Sequence, residues 1–443
     1  MLKRATKLSE IDLAFPLAPL ADDEFEDFYV SVDSERDNCL SRVEELKKNL
    51  KKKNIKILFA GHSGSGKSTE LNKLIRDIDS TTFTVKFSIT EELDAYDLNY
   101  IDLIMVMMGQ LADQAAESGF IDKNSKHLET IKDWLADVTD IKVEETGYML
   151  EIGAGLKANR GILSLLVGLI AEFKTVIRAG SSGKKEYRRK LEQQISQLKT
   201  YCNIMINEIA KNLEKQDKKL LVVFEDIDKA DIEKVKEVFF KHSGILFELE
   251  ISIIFTVSIF TLTTPDLARS GGKFAMVRLP MLKTENREGG EFTKGCNIIT
   301  EIVKKRAELS LFEDGVLKEM IARSGGVLRD LFEMIQVAAN AADANGLEKI
   351  NKKMSDYAFG RIKERYHGMI SVRGKTEAGI TTDDLYEELK ILIRSKEKKP
   401  RLNATTYRLL SCLAVLEYNG EQWFDVHPAV KSLLKEMGEL NDL

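Results

Sequence analysis

The sequence predicts an α/β fold: a parallel β-sheet flanked by helices, followed by a helical lid and a small C-terminal winged-helix-like domain. Three observations predict it. First, an apolar run, IKILFA (55–60), feeds into a glycine-rich stretch, then a helical pattern, STELNKLIRDI, and then a second strand-like segment, FTVKFSI (83–89). Strand, glycine loop, helix and strand in that order is how parallel sheets are assembled. Second, KLLVVFED (219–226), ISIIFTVSI (251–259) and FAMVRLP (274–280) supply three more strands. Third, beyond residue 290 strand patterns give way to serial helices, NIITEIVKKRAEL, DGVLKEMIARSG and VLRDLFEMIQVAANAA.

The elements divide the chain into four regions. Residues 1–54 read as a lead-in segment, with an acidic stretch and a helix, NCLSRVEELKKNLKKKN, whose lysines from Lys47 to Lys53 form a solvated end suited to a helix C-terminus. Residues 55–285 form the sheet core. Within it, AYDLNYIDLIMVMMGQLADQAAESG (95–119) is a long apolar helix whose methionines read as packing. An insertion at about 120–215 follows. Its run GILSLLVGLIAEF (161–173) predicts a buried or oligomer-facing helix, RAGSSGKKEYRRK (178–190) a flexible basic loop, and LEQQISQLKTYCNIMINEIAKNL a helix. The basic loop reads equally as a contact for an acidic partner or as a solvated linker. Residues 286–345 form the lid. Residues 346–443 hold a linking helix, a basic stretch ending RSKEKKPRLN, a helix ATTYRLLSCLAVL, a hairpin on YNGEQWFDV and a last helix. Asn419-Gly420 suits a two-residue hairpin turn, and His427 is expected to end the hairpin and start that helix.

Composition excludes several function classes. At 443 residues with a net charge of −5, no global field draws the surface onto nucleic acid or an anionic membrane. Cys39, Cys202, Cys296 and Cys412 form no CxxC pair, which argues against a zinc site or disulfide framework and for core thiols in a reducing cytosol. The N-terminus lacks an apolar signal region, and the richest apolar run is shorter than the ~20 residues a spanning helix needs. The expected location is cytoplasmic, with no membrane contact. The five histidines are isolated, and no nucleophilic triad appears. His62, at a variable position of the glycine loop, is expected at the surface.

The chemistry is concentrated in GHSGSGKSTE (61–70). Gly61-x-x-x-x-Gly66-Lys67-Ser68 is the complete P-loop pattern, placed between a buried strand and a helix. Glycines let backbone N–H groups turn toward phosphate oxygens, and the helix N-terminus adds positive potential. The expected nucleotide contacts are Gly61, His62, Ser63, Gly64, Ser65, Gly66, Lys67, Ser68 and Thr69. Lys67 reaches the β- and γ-phosphates, Ser68 ligates Mg²⁺ and Thr69 touches the α-phosphate. The acidic partner is LLVVFEDIDKAD, an apolar strand ending in Glu225, Asp226 and Asp228. Carboxylates at the carboxyl end of a buried parallel strand face the crevice where such sheets bind ligands. The metal set is therefore Ser68, Glu225 and Asp226, with Glu225 on the metal and Asp226 polarising the attacking water. The reverse assignment stays open, and the shorter Asp226 favours slow hydrolysis.

The P-loop, VVFEDIDK, the strand end IIFTVSIF and the later SGGVLRDL together resemble the AAA+ and STAND branches of P-loop ATPases, including origin-recognition-like proteins. FEDIDK also resembles the acidic motif of KAP-type ATPases. The likeness covers about residues 25–345. It implies ATP as the nucleotide, Ser258 (with Thr256 as second choice) as the sensor on the strand end, Arg329 as a lid arginine aimed at the nucleotide, and Arg269 as an arginine finger toward a neighbouring subunit. Catalytic roles then fall to Asp226, Glu225, Lys67, Arg329, Ser258 and Arg269. The implied function is an ATP-hydrolysing switch that moves its lid and C-terminal domain, as a nucleotide-dependent homo-oligomer with an effector protein, in a bacterial defence setting. The alternative is a DNA-binding regulator of replication or transposition, reading duplex with HPAVKSLLKEMGEL and basic patches such as RSKEKKPR (394–401).

Overall fold

A computed structural model describes the chain except for residues 1, 22, 33–40, 140–161, 179–181, 265–266, 268–271, 372–378, 419–422 and 441–443. Five parallel strands form the central sheet: β1 (Lys56–Gly61), β2 (Thr82–Ser88), β3 (Lys219–Glu225), β4 (Ser252–Val257) and β5 (Ala275–Leu279). Their spatial order is β2-β3-β4-β1-β5. All five runs that the sequence marks as strands are strands, so the parallel sheet is as expected. β4 lies between β1 and β3, which holds the glycine loop and the acidic strand end one strand apart.

Because successive side chains point to opposite faces of a strand, each strand feeds two cores. Ile57, Phe59, Leu221, Val223 and Ile254 pack on one face against α1 (Arg42–Asn49) and α2 (Lys67–Ile78). Leu58, Ala60, Val222, Phe224 and Phe255 point to the other face. There the long segment between β2 and β3 supplies the cover: α3 (Tyr100–Glu117), α4 (Lys126–Thr139), α5 (Ile162–Arg178), α6 (Ser182–Gln193) and α7 (Ile195–Glu214). The insertion is thus one wall of the sheet core. Among the described residues, no helix is long and apolar enough to cross a membrane.

One expectation within this wall fails. The basic stretch 178–190 is largely helical, as α6, with only residues 179–181 outside the described set. Two of its cations are held across elements: Lys184 pairs with Asp97, and Arg188 pairs with both Asp97 and the buried Asp102 of α3. Fixed charge partners one turn apart favour a helix over a solvated linker. Burial pushes the Asp102 carboxyl up to about 6 despite the Arg188 guanidinium beside it.

The lid helices are α8 (Thr293–Arg306), α9 (Val316–Arg323) and α10 (Leu328–Ala344), followed by α11 (Lys352–Ile370), α12 (Thr382–Arg394) and α13 (Ala404–Ser411). They share one core with the N-terminal residues Leu8, Ile11, Ala14 and Phe15. The predicted helix at 404–416 stops early: Leu413 adopts φ 61°, and Val415–Tyr418 form β6 instead. An apolar run of that length reads equally as helix or buried strand, and pairing decides it. β6 pairs antiparallel with β7 (Trp423–Val426), from Val415↔Val426 to Tyr418↔Trp423. Asn419-Gly420 lies outside the described residues. His427 caps α14 (Pro428–Glu436) by accepting the Ala429 N–H at Nδ1. Cys202 and Cys296 are buried thiols, Cys412 is half-buried, and Cys39 lies outside the described residues.

Candidate functional site

β1 ends at Gly61, and the loop to α2 turns through Gly64 (φ 74°) and Gly66 (φ 96°), left-handed conformations that favour glycine. A Cβ on Gly66 would meet nothing within 4 Å, so the loop presents open space ahead of α2. Lys67, the first residue of α2, is buried at 7% exposure. Its Nζ donates to the carbonyls of Gly61 (3.0 Å) and His62 (2.9 Å) and pairs with Asp228 Oδ2 at 2.9 Å. Ser68 and Thr69 line the same cleft.

The carboxyl end of β3 brings its three acids to this loop, each held by a different lysine. Asp228 pairs with Lys67. Glu225 Oε2 pairs with Lys86 of β2 at 2.7 Å, while Glu225 Oε1 is buried with no hydrogen-bond partner among the described residues. Asp226 adopts φ 66°. This backbone turns its carboxylate toward β2, where Oδ2 accepts from Ser88 Oγ (2.6 Å) and Thr90 Oγ1 (3.3 Å), and Oδ1 pairs with Lys229 at 2.7 Å. Burial alone would push the Asp226 carboxyl up, but Lys229 and the two hydroxyls outweigh it and hold it below the usual range.

The remaining expected residues divide. Arg329, in the first turn of α10, donates from Nη1 to Ser63 Oγ at 3.1 Å and lines the cleft. Thr256, at the end of β4, also lines it and donates to the Phe224 carbonyl at 3.3 Å. Ser258 is buried two residues further on, starting a short helical turn, and is not among the cleft-lining residues. Arg269 lies outside the described residues.

The cleft measures about 530 Å³. Its polar lining includes the glycine loop and the acids; its apolar lining includes an N-terminal strap, Pro16–Leu20 with Phe28. Arg306 of α8 ties strap to lid: Nη1 donates to the Ala14 carbonyl, and the guanidinium lies 5.9 Å from the Phe28 ring and 4.8 Å from the Phe332 ring. Burial pushes its guanidinium down to about 10. Asn72 of α2 donates to the Leu20 carbonyl at 2.7 Å, fixing the strap to the P-loop helix.

His62 is not at the surface but fully buried, at 1% exposure. Its Nε2 accepts the Glu417 N–H of β6 at 2.7 Å, so the P-loop is joined to the C-terminal hairpin. The hairpin also reaches the lid: Tyr418 Oη donates to the Gly325 carbonyl at 2.7 Å, just before α10. Burial, then the charges of Lys67 and Arg278, push the His62 imidazole down to about 3. An ordinary histidine titrates near 6.5, so below that pH the unfolded chain takes a proton that the folded chain refuses. Stability from this group is complete above 6.5 and falls as pH drops, by about 1.4 kcal/mol per pH unit between roughly 6 and 4. Urea denaturation of the parent and of His62→Gln at several pH values in that window checks it; equal slopes would refute the assignment.

Sequence reasoning missed Lys86, Ser88 and Thr90, the strap, Arg306 and the role of His62. One signal was available: a lysine in FTVKFSI, between residues whose side chains pack into the sheet core, needs a charge partner.

A family model, the KAP family P-loop domain, matches residues 36–255. No curated protein matches the chain. Among solved structures, it is similar to the ORC1 protein of Aeropyrum pernix in complex with DNA, at 13% identity and a TM-score of 0.40, covering 96% of each chain. It is also similar to Cdc6p of Pyrobaculum aerophilum, at 13% identity and a TM-score of 0.38, covering 96% of this chain and 98% of that one. The ORC2 protein of A. pernix in ADPNP-ADP complexes matches at 12% identity and a TM-score of 0.35, covering 89% and 90%. With a complete glycine loop at the end of a central parallel strand, a facing acidic strand end and the family match over 36–255, this chain contains a P-loop NTPase domain.

Proposed function

We propose that the chain binds ATP with Mg²⁺ in the cleft between glycine loop, β3 acids, N-terminal strap and lid, hydrolyses it, and passes nucleotide state to the lid and C-terminal hairpin. The carrying observation is the buried Lys67, held at the glycine loop and paired with an acid of β3. A phosphate group arriving there offers that ammonium a replacement anion, and the N-terminus of α2 adds to the attraction. The residues fit a divalent ion, since Glu225 Oε1 is buried without a partner among the described residues and Glu225 lines the same cleft as Ser68. Ser68 and Glu225 would hold the ion, which supplies neutralisation of charge on the β- and γ-phosphate oxygens.

Lys67 and Arg329 then neutralise charge developing on the phosphates, and Asp226, held by Ser88, Thr90 and Lys229, orients the attacking water. Thr256 is better placed than Ser258 to respond at the end of β4, because it lines the cleft. We place the working units at 1–54, 55–285, 286–345 and 346–443, with a nucleotide-dependent homo-oligomer in which Arg269 reaches the neighbouring subunit and an effector protein receives the output. The His62–Glu417 and Tyr418–Gly325 bonds support hairpin and lid as the responding elements. The rival reading, duplex recognition by HPAVKSLLKEMGEL and basic patches such as 394–401, has less support, since that helix carries only two lysines and one of them, Lys431, pairs with Asp425.

The test is nucleotide binding and turnover with ATP and with GTP, alongside mass measurement with and without nucleotide. Asp226→Asn keeps a residue type that tolerates the left-handed backbone. It is expected to retain ATP binding while lowering turnover by at least ~10²-fold, the usual scale for losing a positioned acid or base. Turnover at the parental rate in this variant would remove Asp226 from the chemistry.

A further inference from the structure

Three carboxylates and three lysines meet at the end of β3, and the pairs are not equivalent. Lys67 belongs to the glycine loop and has phosphate as its expected alternative partner. Lys229 is half-exposed, three residues from Asp226 in the same turn, so solvent screens it. Lys86 comes from a different strand. Its Nζ touches Glu225 Oε2 at 2.7 Å and also donates to Asn72 Oδ1 on the P-loop helix. Asn72 in turn holds the strap at the Leu20 carbonyl. The Lys86 ammonium therefore has two anchors, one of them the carboxylate whose other oxygen, Oε1, is buried with no hydrogen-bond partner among the described residues.

We infer that Lys86 is the resident counter-cation of Glu225: it neutralises that carboxylate through Oε2 while no metal is bound, and a divalent ion must displace it toward Asn72, so Lys86 sets the metal concentration at which the site fills. This rests on the reading of Glu225 as the metal-side acid. Physically, a carboxylate 12% exposed is costly to leave without a cation, and the cation it already has lowers its gain from a second one. Removing the lysine destabilises the metal-free state alone, which by linkage raises metal affinity.

The experiment titrates magnesium chloride into the full chain with two readouts: thermal stability without nucleotide, and anisotropy of a fluorescent ATP analogue. Lys86→Met is expected to lower the magnesium midpoint of both readouts by about tenfold, a coupling typical of groups in one charged network. Lys86→Arg, which keeps the charge, is expected to stay close to the parent. A midpoint in Lys86→Met that is unchanged or higher, while the parent binds nucleotide and Glu225→Gln loses its magnesium response, overturns the inference alone. If Glu225→Gln keeps the parental magnesium response, Glu225 does not hold the metal; if the parent binds no nucleotide, the nucleotide reading itself fails, and each outcome takes the Lys86 inference with it.

Discussion

Lys67→Ala is expected to abolish nucleotide binding and, separately, to destabilise the nucleotide-free protein by about 3 kcal/mol. The two effects have different origins. On the proposed function, binding is lost because the ammonium that would neutralise the β- and γ-phosphates is gone. Stability is lost because Asp228, whose side chain is 8% exposed, loses its cation at 2.9 Å, and breaking one side of a buried pair costs ~3 to 5 kcal/mol. The double variant Lys67→Ala with Asp228→Asn separates them. It is expected to regain most of the stability in chemical denaturation and none of the nucleotide affinity. If the single variant binds nucleotide normally, the proposed site is wrong; if the double variant is no more stable than the single one, the Asp228 pair is not what Lys67 stabilises.

Gly326→Ala is expected to cost about 4 kcal/mol, at the upper end for a single substitution. Gly326 has φ 83°, and a Cβ there would lie 1.8 Å from the Leu282 carbonyl oxygen and 2.9 Å from its carbon. Both atoms are backbone, so no side-chain rotation relieves the overlap. The turn that must move is the one that starts α10 and aims Arg329 at Ser63, so nucleotide affinity is expected to fall with stability. Gly346→Ala is the control: it shares a positive φ of 68° but meets nothing within 4 Å, and should cost only the left-handed strain of ~1 to 2 kcal/mol. Equal losses in denaturation of the two variants would rule out the Leu282 contact as the cause.

What the sequence made legible was local. The glycine loop and the acidic strand end are each contiguous, so spacing and neighbouring apolar runs suffice to place them on the sheet. Arg329 was legible through SGGVLRDL, because the loop and the helix start it needs are adjacent in the chain. Lys86 and Ser88 were not, since their roles depend on the register of β2 beside β3, where Ser88 falls opposite Glu225. His62 misled for the same reason: its partner is 355 residues away. The helix at 182–193 was hidden by composition, as a glycine- and charge-rich stretch resembles a linker until Asp97 and Asp102 fix its cations.

The left-handed backbone at Asp226 narrows which residues evolution can place there. That region accepts Gly, Asn and Asp far more readily than longer side chains, whose Cβ crowding is not offset by a short local hydrogen bond. Exchanging the Glu225-Asp226 order for Asp-Glu would therefore place a longer side chain at 226 together with backbone strain at the same position. A glutamate at 226 would keep the charge but fit this bend less well, so relief of its strain would require a reshaped turn after β3.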